Sequence, residues 1–225
     1  MSGSPVSDIA ARVQDYLDRT RHTFPPGCDR YFARIALEVA LRAYHGGNFG
    51  IGAVAVVRSG RRADLFYGEN AMAQPGAVIE HAETQAVLKV AAGDAPDHTI
   101  TPPEPSPAAV TVYGTVEPCP MCACVLTNAG VQRSVSTCLD GELERDGDFL
   151  TSGGGANVLG DKYPTQPRVW RDIQRARGLR FELLAPDEPE LWELSWKILA
   201  ETRDEIDELL ATRPGIGQRR AAGRD

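Results

Sequence analysis

The sequence predicts an α/β layered fold in one domain, and three observations carry that prediction. Two helix-period segments lead into a pair of β-branched runs separated by a turn. Further on, a strand pattern, a helix pattern and a second strand pattern follow one another, the succession that builds layered α/β domains. With 225 residues, 42% of them hydrophobic, the chain can bury one sizeable core, whereas two full domains would be cramped.

Taken in order, SDIAARVQDYL places Ile9, Val13, Tyr16 and Leu17 at helical spacing behind Ser7 as a cap, so a first helix is predicted over residues 7–20. FPPG ends it. RYFARIALEVALRAY is a second helix, closed by Gly46 and Gly47. IGAVAVVRSGRRADLFYG reads as a hairpin with its turn at Ser59 and Gly60. IEHAETQAVLKVAAG is a helix bounded by Gly93. The next segment, DAPDHTITPPEPSPAA, has five prolines in sixteen residues and is expected to be an inserted loop. VTVYGTV is a strand, PCPMCACVLTNAG a helix with proline in its first turn, and VQRSVSTCL another strand. The stretch FLTSGGGANVLGDKYPTQP suggests a mobile loop. RFELL is a candidate strand, and Leu191, Leu194, Ile198, Leu199, Ile206 and Leu209 mark a long closing amphipathic helix.

Composition narrows the function classes. No run of about 18 uncharged apolar residues occurs, and the N-terminus lacks a basic stretch followed by an apolar one, so neither a membrane span nor a signal peptide is expected and the simplest location is cytoplasmic. A net charge of -7 and a pI near 5.2 argue against nucleic acid as the main partner, because neutralising phosphates needs a basic face. The Arg-bearing tail QRRAAGRD reads as a solvated end. Five cysteines, three of them within six residues, make a poor disulfide framework and a good metal or catalytic cluster.

By itself, Cys119-Pro-Met-Cys122 admits a redox pair at a helix start, a structural zinc staple, or half of a catalytic zinc site. The catalytic reading needs one more histidine or cysteine and a carboxylate, and His81-Ala82-Glu83 supplies both. Cys119 and Cys122, three apart, share one face of a first helical turn, so both sulfurs can reach one ion. Zinc held by one imidazole and two thiolates lowers the pKa of a bound water enough to supply hydroxide near neutrality. Glu83 would then take a proton from the water, pass it to a ring nitrogen of the substrate and later protonate departing ammonia. His81 and Glu83 are two apart and do not share a helix face, so the reading requires both to sit at the helix N-terminus.

H-x-E followed by P-C-x-x-C resembles the signature of zinc deaminases. The chain resembles the cytidine deaminase-like superfamily, within it the branch of guanine deaminases and bacterial tRNA adenosine deaminases, over roughly residues 30 to 150. GIGAVAVV looks like that family's first strand, with its glycine at Gly52; Asn70, eleven residues before His81, falls where both families carry a ring-binding asparagine; Asp140 ends the strand after the cysteine helix, where relatives carry a substrate-contacting aspartate. EPCPMC is more like guanine deaminases than the E-P-C-V-M-C usual in the tRNA enzymes. The resemblance implies a three-layer α/β/α fold with a mixed β-sheet, one Zn2+ per chain on His81, Cys119 and Cys122, Glu83 as catalytic residue, and substrate contacts from Asn70, Ala82 through its backbone N–H, Asp140 and Phe49. It implies residues 1–165 as the zinc deaminase domain and a homodimer. Nothing familiar matches residues 165–225, and these are expected to form an extension over 166–212 packed on the domain and a flexible tail over 213–225.

The expected reaction is hydrolytic deamination of a nitrogen heterocycle. A free nucleobase or nucleoside, guanine- or cytosine-like or an analogue, suits the acidic chain; a tRNA adenosine deaminase and a non-catalytic zinc-stapled scaffold are the alternatives. Cys124 points to another helix face and reads as a small buried thiol, as do Cys28 and Cys138. His22, His45 and His98 lack the spacing to join the site. Trp170, Trp192 and Trp196 read as packing aromatics rather than a pocket wall. The triple glycine at 153–155 lacks the lysine and following helix of a phosphate loop.

Overall fold

The structure is a computed structural model and describes residues 8–77, 79–138, 177–184 and 188–213. Asp140, Trp170 and the glycine-rich stretch at 153–155 fall outside the described residues, as does Ser7. Two helices come first, α1 (Asp8–Arg19) and α2 (Asp29–His45), then the hairpin β1 (Gly52–Gly60) and β2 (Arg62–Glu69). After them come α3 (Ala82–Ala92), β3 (His98–Ile100), β4 (Ser106–Val116), α4 (Pro120–Asn128), β5 (Arg133–Cys138), β6 (Arg180–Leu183) and α5 (Pro189–Thr212).

The six strands form one mixed sheet in the order β3-β2-β1-β4-β5-β6, antiparallel from β3 to β4 and parallel from β4 to β6. Strand alternation assigns its two faces. Val54 and Val56 of β1 join Phe32, Ile35, Ala36 and Val39 of α2, whereas Ala53 and Ala55 join Ala82, Ala86 and Val87 of α3 and Leu126 of α4. On the α2 side, α1 and α5 add Val13, Tyr16, Leu17, Leu191, Leu194 and Ile198 to a further cluster with Leu37 and Leu41. The fold is therefore the expected three-layer α/β/α sandwich. Leu209 departs from the helical stripe read in the sequence and stays 45% exposed.

Two boundaries differ from the sequence reading. The helix after Glu80 starts at Ala82, with His81 as its N-cap in extended backbone (φ -74°, ψ 153°), and Gly93 closes it at φ 73°, a left-handed conformation that costs glycine little. The proline-rich segment is also not one loop: His98–Ile100 pairs with β2 as an edge strand, and β4 begins at Ser106 rather than Val110. Edge strands and bulges are where a sheet tolerates proline. Pro107 lies in the shifted register between Arg58 and Gly60, and the pairing of β5 begins only at Thr111, so its missing N–H interrupts no inner ladder.

Candidate active site

Two helix starts meet beyond one end of the sheet. β4 ends at Val116, and Cys119 caps α4 in extended backbone (ψ 167°) with Pro120 in the first turn. His81 caps α3 in the same way. As caps, both residues stand off the ends of their helices instead of on their sides, which removes the difficulty of a histidine and a glutamate two residues apart. Both helices also direct their positive ends toward the sulfurs, an arrangement that favours thiolate.

β2 sets where α3 begins. A Cβ on Gly68 would collide with the carbonyl of Ala82 and press on Ala86, so only glycine lets the strand lie this close to the first turn of α3. On β4, a Cβ at Gly114 would lie 3.0 Å from the Val116 carbonyl and 3.7 Å from Glu83 Oε1. The tight approach there is to the Val116 carbonyl, and the Glu83 carboxyl lies at ordinary contact distance from the same glycine.

Cys119 Sγ lies 3.6 Å from His81 Nδ1 and 3.6 Å from Cys122 Sγ, and the three ligand atoms all fall within 4.8 Å of one another. Tetrahedral zinc, with Zn–S of about 2.3 Å and Zn–N of about 2.0–2.1 Å, needs an S–S edge of about 3.8 Å and an S–N edge of about 3.6 Å. The donor set and its spacing fit that ion. Cys124 lies outside this group. The hydrogen bond shared by the two sulfurs, together with His81, holds the Cys119 thiol well below its ordinary range although burial opposes this. Cys122 is pushed up by the same hydrogen bond and by burial. Thr84, buried one residue beyond Glu83, brings its hydroxyl to 3.7 Å from Cys122 Sγ.

Glu83 is 4% exposed. Burial pushes its carboxyl up, charge on Cys119 adds to this, and its own backbone N–H and His81 act in the opposite sense. A raised carboxyl beside a metal group is what proton transfer near neutrality requires.

Asn70 is buried just beyond β2. Its Oδ1 accepts the Met72 N–H at 3.0 Å, which fixes the amide orientation and leaves Nδ2 without a protein acceptor among the described residues. Ala82 is the first residue of α3, where a backbone N–H has no acceptor within the helix. Phe49 packs with Ile51, Trp192 and Trp196 around Val116, Cys138 and Leu199, so α5 brings two tryptophans to the strand ends next to the cysteine helix. The indole Nε1 of Trp196 is buried with no hydrogen-bond partner among the described residues. Trp192 and Trp196 take the packing role read in the sequence, as partly buried aromatics against the Val116, Cys138 and Leu199 cluster. Thr84 and Gly114 were missed there; a glycine amid the β-branched run VTVYGTV is the signal that would have flagged the second.

A separate cavity of about 380 Å3 borders Asn70 and is lined by Arg42, Glu69, Tyr67, Lys89 and Asp97, with none of His81, Glu83, Cys119 or Cys122 in its wall. Its charges pair with each other, Arg42 with Glu69 and Lys89 with Asp97, both at 3.0 Å.

Comparison with known proteins agrees with this fold. The guanine deaminase from Nitrosomonas europaea has a solved structure that superposes with a TM-score of 0.51 at 15% identity, covering 83% of this chain and 91% of that one. The structure of NE0047 in complex with 2,6-diaminopurine superposes at 0.52 with 15% identity, covering 84% of this chain and 88% of that one. At such identity the likeness establishes the fold. None of the curated proteins matches the sequence. The model of the cytidine and deoxycytidylate deaminase zinc-binding region matches residues 26–138, just over half of the chain, from the approach to α2 through to the last residue of β5. The chain belongs to that family and is a zinc-dependent hydrolytic deaminase.

Proposed function

We propose that the protein hydrolytically deaminates a free nucleobase or nucleoside, with His81, Cys119 and Cys122 holding one Zn2+ and Glu83 moving the protons. The observation that carries this reading is the buried Glu83 carboxyl beside a group of three, rather than four, metal-ligating side chains among the described residues. Three protein ligands leave a coordination position open for chemistry. When bound, the zinc supplies Lewis acidity that makes water a competent nucleophile near neutrality.

The chain's own residues do the rest. Glu83 accepts a proton from the water as its oxygen bonds to the ring carbon bearing the amine, and returns it to the adjacent ring nitrogen. A second proton passes through the same carboxyl to the exocyclic nitrogen, the C–N bond breaks, and ammonia leaves. Asn70 Nδ2 and the Ala82 N–H are donors for the ring's acceptors, and Phe49 with Trp196 forms an apolar wall for a flat heterocycle. Asp140 is kept as a substrate contact on the strength of its place in the family pattern.

A purine base such as guanine stands first, in keeping with the EPCPMC motif, the acidic chain, and relatives of the same fold that act on guanine or hold 2,6-diaminopurine. The test is ammonia release from guanine, cytosine, adenine, their nucleosides and an adenosine-34 tRNA hairpin, with Glu83→Ala as control. Turnover of a base or nucleoside that the substitution abolishes is expected. Turnover of the hairpin alone would overturn the small-substrate reading, and silence with one tightly held zinc would favour a scaffold. The same reading takes the protein to be a homodimer, which a light-scattering mass near the 24.3 kDa of one chain would refute.

A further inference from the structure

The loop between β2 and α3 carries Asn70 at one end and leads into His81 at the other. The Ala71 N–H donates to the Glu80 carbonyl at 2.9 Å, so the two ends of the loop are tied together and the residues between them form a closed excursion. Within it, the Gln74 N–H reaches Ala71 and the Ala77 N–H reaches Gln74. These turns leave other carbonyls to be satisfied from outside the loop.

Arg213, the residue that ends α5, meets that need. Its two terminal guanidinium nitrogens donate to two carbonyls of the loop, Nη1 to Ala77 at 3.0 Å and Nη2 to Met72 at 2.8 Å. Asn48 adds a third support, its Oδ1 accepting the Ala73 N–H at 3.0 Å. A planar fork with fixed donor directions suits two carbonyls five residues apart; an ammonium on a flexible stem does not hold both in one geometry. On its way to the loop, α5 crosses the entry to β1, where the Gly50 N–H meets Thr202 Oγ1 at 3.3 Å. The clasp thus joins a helix outside the 26–138 family match to the segment between Asn70 and His81.

We propose that Arg213 is a positioning residue of the deaminase site: by clasping the 71–80 loop it sets Asn70 toward the substrate and His81 toward the metal. The substrate half of this proposal rests on the function proposed above; the loop and metal halves do not. Three measurements on the zinc-loaded full chain separate them, each comparing wild type with Arg213→Ala and Arg213→Lys. Amide hydrogen exchange across residues 71–77 is expected to speed up about tenfold in Arg213→Ala, with α1, α2 and β1 unchanged, because only a local opening is made easier. Zinc loss to excess EDTA is expected to rise about tenfold, the lower end of what loosening a ligand's support costs. The KM for guanine is expected to rise about tenfold with kcat within about threefold, as when ground-state and transition-state binding are lost together. Arg213→Lys should fall between the two in all three.

Unchanged loop exchange together with unchanged zinc loss would overturn the proposal. Faster exchange spread evenly over α1, α2 and the loop would overturn it too, since that would make Arg213 a general stabiliser. Failure of the wild-type protein to turn over guanine would count against the substrate reading alone, because exchange and zinc loss are measured without substrate.

Discussion

The two ends of the central sheet both gather ionisable groups, and they handle the charge in opposite ways. Where β5 begins, Arg133 lies between Asp29 of α2, at 2.7 Å, and Glu182 of β6, at 2.5 Å, while Tyr113 donates its hydroxyl to Asp29 at 2.7 Å. Two carboxylates, one guanidinium and a phenol satisfy one another there, linking α2, β4, β5 and β6. Where β4 and β5 end, the buried Glu83 carboxyl lies beside the metal-ligating group of His81, Cys119 and Cys122. The first end finds its counter-charge within the chain. The second leaves it to an ion from solution. A site that acts on substrate keeps its electrostatics incomplete, whereas a structural network closes them.

Substitutions at the two ends should therefore fail in different assays. The largest effect is expected from Glu83→Gln, which removes the proton carrier and should lower deamination about 10²–10⁴-fold. Because it also relieves a buried acid, the metal-free protein should unfold at an equal or higher urea midpoint, and a clear fall in that midpoint would break the comparison. Arg133→Met should do the reverse. It leaves two carboxylates without their cation, and because Asp29 is 35% and Glu182 42% exposed, water screens them and the loss should be only about 1 kcal/mol by urea unfolding, while kcat per folded molecule is unchanged. Thr84→Val comes next: deleting the hydroxyl beside Cys122 should weaken zinc binding about tenfold in a competition titration and leave metal-free stability near wild type.

The smallest effect concerns pH. The Arg133 hydrogen bond holds the Asp29 carboxyl below its usual range, with Tyr113 adding to it, and Glu182 is lowered by Arg133 in the same way. A carboxyl whose folded pKa is depressed contributes stability that is complete above the unfolded value of about 4 and is lost as pH falls through the lower folded value. Urea midpoints should then drop in wild type as pH falls below the unfolded carboxyl value of about 4, and this acid slope should flatten in Arg133→Met. An equal slope in both proteins would show that other carboxylates set the acid limit.

Much of the catalytic end was legible in the sequence because its information is local. Ligand identity, the interval between His81 and Glu83, and the proline after Cys119 are properties of a few neighbouring residues, and the fold brings His81, Cys119 and Cys122 into the one group their types suggested. The missed residues act across long intervals. Thr84 reaches Cys122, 38 residues later in the chain, and the acceptors of Arg213 are 141 and 136 residues earlier. The arginine network is of the same kind: Asp29, Arg133 and Glu182 carry no shared motif and meet only when β5 and β6 pair beside α2. Proline content misled at β3, since an edge strand of three residues needs so few ladder bonds that its composition barely registers.

Because the ligands from the two helices include a cap on each, the metal group depends little on what the helices bury further along. The inward residues of α3 and α4 answer to the sheet, through Ala86, Val87 and Leu126, while outward Leu88 is half exposed and Lys89 reaches β2 only through Asp97. The first turns are thus a socket for the metal group and the later turns a handle. Redesign of the outer faces of α3 and α4, to attach the enzyme to a surface or fuse it to another domain, can proceed without re-engineering the socket so long as Gln85 and Lys89, beside Asn70, are kept.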